Sequence, residues 1–117
     1  MIFFSNPMKK IYRVKKNEEF QKILNRRKFF TCASFALYVK ERSVLADNAR
    51  IGISVSKKLG NAVVRNKIKR QVRMMCQEIF DFSEKYDSII LIRQGFLKLD
   101  FHTNKKELEN LVKKVKI

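Results

Sequence analysis

Between Ala62 and Phe80 the large apolar residues recur at intervals that only a helix satisfies. Val64, Ile68, Val72, Met75 and Ile79 are spaced four, four, three and four apart, and at about 100° per residue they form a single stripe. Arg65, Lys69 and Arg73 climb one edge of that stripe, Asn66 and Arg70 lie further round, and Lys67 beyond them. The stretch just before it alternates instead, with Ile51, Ile53 and Val55 on one face of a predicted strand and Gly52, Ser54 and Ser56 on the other. That second face is small and polar, so a helix or a ligand can come close to it. Gly60 and Asn61 mark the turn and helix cap between the two elements. From Arg50 to Gln77 the chain carries eight basic residues (Arg50, Lys57, Lys58, Arg65, Lys67, Lys69, Arg70, Arg73) and no acidic one. Such a run repels itself in a compact fold, and a solvated helix normally interleaves acids with its bases. A polyanion lying against this face resolves the conflict.

The whole chain has the same bias. Lys plus Arg number 27 against 11 acidic residues, a formal charge of +16 over 117 residues, which draws a protein to nucleic acid or to an anionic membrane. The membrane reading is the weaker one, because no apolar run approaches the length of a bilayer span. Met1 to Phe4 is only a stub, with no basic start, long apolar stretch or cleavage site of a signal peptide, so the expected location is cytoplasmic. An apolar fraction of 45% is enough for one domain with a modest core. Cys32 and Cys76 belong to no CxxC and no Cys/His cluster; both are read as small core residues, and no zinc site is expected.

Residues 1–8 are expected to be a flexible leader and 9–117 the folded domain. Lys15 to Arg26 is the first predicted helix, with Asn17 as cap, Glu18 and Glu19 in its first turn, and Phe20, Ile23 and Leu24 on one face. Phe29 to Lys40 is predicted to be extended, with Phe35, Leu37 and Val39 pointing one way, Ala36 and Tyr38 the other, and a bulge or a strand break near Thr31–Cys32. Ser43 to Asn48 is a predicted turn. Ser88 to Arg93 is apolar on both faces, as a central strand requires. Phe96 to His102 reads as an irregular link and Lys105 to Lys116 as a last amphipathic helix. The order α-β-β-β-α-β-α describes an α+β fold, a single-domain α/β sandwich. The strand–helix–strand piece at its centre has a right-handed crossover as its default.

Phosphate contact suits Arg65, Asn66, Lys69, Arg70 and Arg73: arginine binds bidentately, lysine as a point charge, and asparagine both donates and accepts. Lys57 and Lys58, just ahead of the helix, are expected to add side chains and backbone donors to the same anion site. Phe20 and Tyr38 have the chemistry to stack on unpaired bases, although as isolated residues a core role suits Phe20 better and divides evenly for Tyr38. The lone His102 reads as ordinary surface. A nuclease acting alone needs clustered carboxylates for metals or an activated nucleophile, and here the acids are scattered away from the basic centre. Two other classes stay open on composition, a ribosomal-type structural RNA-binding protein and a DNA-binding regulator. The regulator would want a short helix ahead of its recognition helix, and here a strand leads in.

The run from Arg50 to Arg73, with its Arg65-Asn66, Arg70 and Arg73 core, resembles the signature of the protein subunit of bacterial ribonuclease P. Arg13 to Phe20, Phe35 to Tyr38 and Ser88 to Arg93 extend the likeness over residues 9–115. The resemblance implies two partners, the catalytic RNA of ribonuclease P and precursor tRNA. It implies 5′ leader removal at a centre formed by the RNA, with Mg2+ held mainly by that RNA and none tightly bound by the protein. It assigns Lys57, Lys58, Arg65, Asn66, Lys69, Arg70 and Arg73 to RNA binding, and Phe20, Leu24, Phe35 and Tyr38 to a cleft for the single-stranded leader, with no catalytic residue in the protein. It also implies a ribosomal protein S5 domain 2-like fold, whose crossover is left-handed. Leu24 stands where relatives often have an aromatic residue, Arg27 where they often have glycine, and Cys32-Ala33 where an Asn-Arg pair is common; Arg27 or Lys28 is the expected substitute for the missing leader contact.

Overall fold

A computed structural model of the chain describes residues 12–42 and 45–115. The elements run α1 (Asn17–Asn25), β1 (Phe29–Thr31), β2 (Phe35–Glu41), β3 (Arg50–Ser54), α2 (Ala62–Ile79), β4 (Tyr86–Ile92) and α3 (Phe101–Val115). This is the α-β-β-β-α-β-α order expected from the sequence. The break near Thr31–Cys32 separates two strands, and β1 turns back to pair antiparallel with β2. The sheet order is β1-β2-β4-β3. β4 is central, antiparallel to β2 and parallel to β3, so α2 is the crossover between neighbouring parallel strands. The expected leader and the start of the Ser43–Asn48 turn lie outside the described residues.

Alternation along the strands divides the molecule into layers. Phe35, Leu37, Val39, Ile51, Ile90 and Ile92 point to one face, where α2 and α3 cover them with Ile68, Val72, Met75, Cys76, Leu108, Leu111 and Val112. The other face carries the smaller cluster of Val14, Ile23 and Ile89, partly capped by Phe20, Leu24, Tyr38 and Leu91. α1 is the helix over that second face, and its 9 residues reach only about 14 Å along the axis. Much of the sheet there is left open.

Several local expectations change. The N-cap of α1 is Lys16, with no side-chain cap bond; Asn17 is already helical, because the chain arrives extended from the pairing of Arg13 with Ile51. After this helix Arg27 takes a positive φ of 59°. The turn therefore keeps a glycine-type backbone at the cost of a left-handed L-residue. Val64 does not join the buried stripe: it is 37% exposed, sitting in the first turn of α2 beside Gly60, whose own φ is +149°. Cys76 completes the stripe in its place, fully buried. Asn61 caps α2 as expected, its Oδ1 accepting from the Val64 amide at 3.0 Å, worth about 1 kcal/mol.

β4 starts two residues earlier than expected and α3 four. Asp100 accepts from the Thr103 amide at 2.8 Å, so His102 stands exposed on a helical turn, its ring edge-on to Phe101. The first three residues of the predicted link, Phe96 to Lys98, belong to a 3-10 turn (Gln94–Lys98). Asn104, almost wholly buried, ties α3 down by donating to the carbonyls of Phe96 and Leu99 at 3.0 and 3.3 Å and accepting from Ser34 Oγ at 2.6 Å. The two cysteines are unbonded: Cys76 is core and Cys32 packs half-buried against it. Burial pushes both thiols up.

Candidate nucleic-acid interface

The cationic face of α2 is present and unneutralised. Asn66, Lys67 and Arg70 are exposed, and Arg65, Lys69 and Arg73 half-buried along the edge of the packed stripe. Residues four apart on a helix stand about 5–6 Å apart at Cβ, so Arg65–Lys69–Arg73 and Asn66–Arg70 form two adjoining rows. Among the described residues none of these side chains, nor Lys57 or Lys58, takes part in an ion pair; the pairs present bind Arg26, Lys28, Arg42, Arg50 and Lys105. The Nε of Arg65 is screened from solvent and meets no acceptor among the described residues. Burial pulls the Arg73 guanidinium down from its ordinary value, and the nearby charge of Arg13 adds to the effect.

Lys57 and Lys58 lie on a 3-10 turn (Lys57–Leu59) that Ser56 caps. Their side chains are exposed, but three amides of the turn are already used. The Lys58 amide donates to Ser56 Oγ at 3.2 Å and those of Leu59 and Gly60 to the carbonyls of Ser56 and Lys57. What this turn offers an anion is two ammonium groups.

Arg50, counted with the cationic run, has a different task. Its guanidinium bonds Asp87 through Nε at 3.0 Å and Nη2 at 2.8 Å, and Nη1 meets Glu19 at 2.8 Å. The hydrogen bonds that Arg50 donates to Asp87 lead the effects that hold Arg50 charged, and the hydrogen bond that Arg50 donates to Glu19 leads those that lower Glu19. This network fastens α1 to β3 and β4. A cavity of about 420 Å³ beside it is lined by both signs of charge, including Lys22, Lys40, Arg42 and Glu41, and so does not extend the cationic face.

Arg13 is a further cation near this face. The segment before α1 lies beside β3, with Arg13 bridged to Ile51 and the Val14 amide donating to the Ile51 carbonyl at 3.0 Å. Val14 enters the cluster under α1, whereas the charge of Arg13 is near enough to add to the lowering of Arg73 on α2. This short segment links the two surfaces. Arg13 opens the run Arg13–Phe20 singled out in the sequence, yet nothing local to it reveals that it lies against a strand nearly forty residues on.

The aromatic candidates divide. Phe20, Leu24 and Tyr38 do come together, half-buried over the open face of the sheet. Phe35 does not join them. It is fully buried in the opposite core, edge-on to Phe96 at 5.7 Å, because three residues along a strand reverse the face. Gly52 is the seat of Phe20: a Cβ at that position would lie 2.6 Å from Phe20 Cζ. The small face expected for β3 is what lets the ring lie against the sheet.

Among the described residues no three His, Cys, Asp or Glu side chains gather as metal ligands. Among the same residues no helix is long and apolar enough to cross a membrane.

Residues 8–116 match the family model described as Ribonuclease P. The chain is 43% identical over 107 residues to the ribonuclease P protein component of Listeria welshimeri, covering 91% of this chain and 89% of that one. The structure superposes on the Staphylococcus aureus RNase P protein with a TM-score of 0.80 at 37% identity, covering 91% of this chain and 96% of that one. It superposes on the Thermotoga maritima RNase P protein with a TM-score of 0.75 at 28% identity, covering 87% and 96%. A cationic helix face that makes no ion pair among the described residues, an open aromatic sheet face and these likenesses agree, and the chain belongs to the ribonuclease P protein family.

Proposed function

We propose that this chain is the protein subunit of a bacterial ribonuclease P, working in the cytoplasm, and that it helps remove the 5′ leader from precursor tRNA. The observation that carries the reading is the unpaired cationic face of α2, with Lys57, Lys58, Arg65, Asn66, Lys69, Arg70 and Arg73 free of ion pairs among the described residues. Bare cations held along a helix edge are arranged for a phosphate backbone, where each contact releases condensed counterions. In this reading they rest on the catalytic RNA near the cleavage region, and Arg13 joins them.

The open face beneath α1 takes the single-stranded leader. Phe20, Leu24 and Tyr38 supply ring faces and apolar lining, which suits unpaired bases of any identity. Phe35, sealed in the other core, contributes only by packing. Cleavage itself falls to the RNA and to Mg2+ held there, with the protein positioning the substrate and screening its charge.

The test is reconstitution. With a ribonuclease P RNA at low magnesium, the chain should raise precursor tRNA processing strongly, and the chain alone should cut nothing. Absence of stimulation would sink the proposal. Phe20→Ala should narrow the preference for precursor over mature tRNA; equal losses for both RNAs, with the fold intact by circular dichroism, would remove the leader role from the cleft.

A further inference from the structure

Register places one row of side chains straight across the open face of the sheet. Phe29 on β1 faces Tyr38 on β2, Tyr38 faces Ile89 on β4, and Ile89 faces Gly52 on β3. Directly opposed residues share a face. Three strand spacings separate the ends of the row, roughly 14 Å. Phe20 occupies the Gly52 end. At the other end the rings of Phe29 and Tyr38 stack, with centroids 4.9 Å apart and planes 25° from parallel.

This stacking changes what the face presents. One side of the Tyr38 ring is covered by Phe29, whereas Phe29 itself is 49% exposed at the outer edge of the sheet. A phenylalanine left half in water on an edge strand adds little to the stability of the fold. It does present a flat ring to whatever passes that edge, already braced from behind. Arg27 stands two residues earlier, exposed, held by its positive φ and in no ion pair among the described residues. Arg26 and Lys28 pair only with the exposed Glu41, at 3.3 and 3.5 Å, interactions weak enough for a phosphate to displace. Ring and cations together have the chemistry of a single-stranded nucleotide site.

We propose that Phe29 is a further base-stacking residue of this chain, seating one leader nucleotide beyond those held at Phe20 and Tyr38, with Arg27 beside its phosphate. The proposal rests on the leader-cleft reading above. It makes the bound strand run across the sheet from the α1 side towards the β1 edge, so a longer leader reaches a ring that a short one does not.

The experiment uses the enzyme reconstituted with a ribonuclease P RNA and precursor tRNAs carrying one abasic site at each leader position in turn. Wild type should lose affinity at a position that Phe29→Leu no longer senses, and Phe29→Leu should weaken binding of the intact long-leader precursor about fivefold, leaving mature tRNA binding unchanged. A second readout does not depend on that variant folding. The chain has no tryptophan, so Phe29→Trp introduces the sole such fluorophore, and its emission should be quenched by the long-leader precursor and not by mature tRNA. An unaltered abasic profile in Phe29→Leu, or equal quenching by both RNAs, overturns the proposal and leaves Phe29 as a packing partner of Tyr38. Phe20→Ala run in parallel separates the two ideas. If it retains full precursor preference, the cleft reading has failed; if it loses that preference with Phe29 variants silent, only the Phe29 site has.

Discussion

The ring of Phe20 lies so close to the backbone of Gly52 that a methyl group there would come within 2.6 Å of Phe20 Cζ and 2.8 Å of Ile89 Cδ1. This packing sets how deeply α1 sits on the sheet and therefore how much of the aromatic face stays open. Gly52→Ala should cost about 1–3 kcal/mol by overpacking, measured by denaturant unfolding, and should reduce precursor preference by displacing Phe20. Adding Phe20→Ala should recover part of the stability, a non-additivity that an unrelated lesion in β3 would not produce.

Arg65→Ala and Arg70→Ala should weaken RNA binding and flatten its salt dependence. Removing one phosphate-binding cation should take about 0.7–0.9 from the slope of log K against log salt. Arg50→Lys is the contrast, because Arg50 serves Asp87 and Glu19. It should leave the slope intact and lower the melting temperature. Binding titrations at four or five salt concentrations distinguish the two outcomes, and an unchanged slope in Arg65→Ala would take that residue out of the phosphate-binding set.

Arg27 carries a backbone conformation that glycine adopts more readily, with φ at 59°. Relieving it by Arg27→Gly trades left-handed strain against glycine's greater unfolded entropy, for a net gain of about 0.5 kcal/mol. The same change deletes a cation beside Phe29, so stability should rise slightly as precursor affinity falls. Calorimetry and binding on one preparation check both signs.

Glu19 gives the fold an acid limb. The Arg50 hydrogen bond holds its carboxyl below the ordinary value of 4.5. Between pH values near 4.5 and the lower folded value, the unfolded chain binds the proton that the folded chain refuses, so stability falls as pH falls. The contribution is complete above the ordinary value and lost as pH drops through the lowered one. In denaturant unfolding measured across this pH range, Glu19→Gln should flatten that part of the stability curve and leave neutral pH behaviour dominated by the loss of one ion pair.

Much of the fold is legible in residue order because it depends on backbone periods. The stripe Ile68–Val72–Met75, the cap at Asn61 and the alternation of Phe35, Leu37 and Val39 follow from a 3.6-residue turn and a two-residue pleat, each confined to a few neighbours. The cationic face of α2 is legible for the same reason. Helix starts are less so: α3 begins at Phe101 because Asp100 caps it, and Asn17 yields its cap position to Lys16 because the preceding segment is bound to β3.

What residue order leaves open is which charges and rings meet. Arg50 and Arg65 are both arginines in one basic run. Only sheet register brings Asp87 to the first and leaves the second bare. Phe35 and Tyr38 are aromatics three apart; the strand pleat separates their faces, and the packing of α2 and α3 decides that one face is sealed. Phe29 joins Tyr38 only because β1 folds back to pair with β2, and Arg13 comes near the charge of Arg73 only because its segment lies along β3. By itself the sequence determined the helices, the strands and the sign of the charge, since each is a local property of the backbone and side chains. Tertiary structure alone decided which cations remain unpaired and which rings remain open, because those depend on the meeting of segments far apart in the chain.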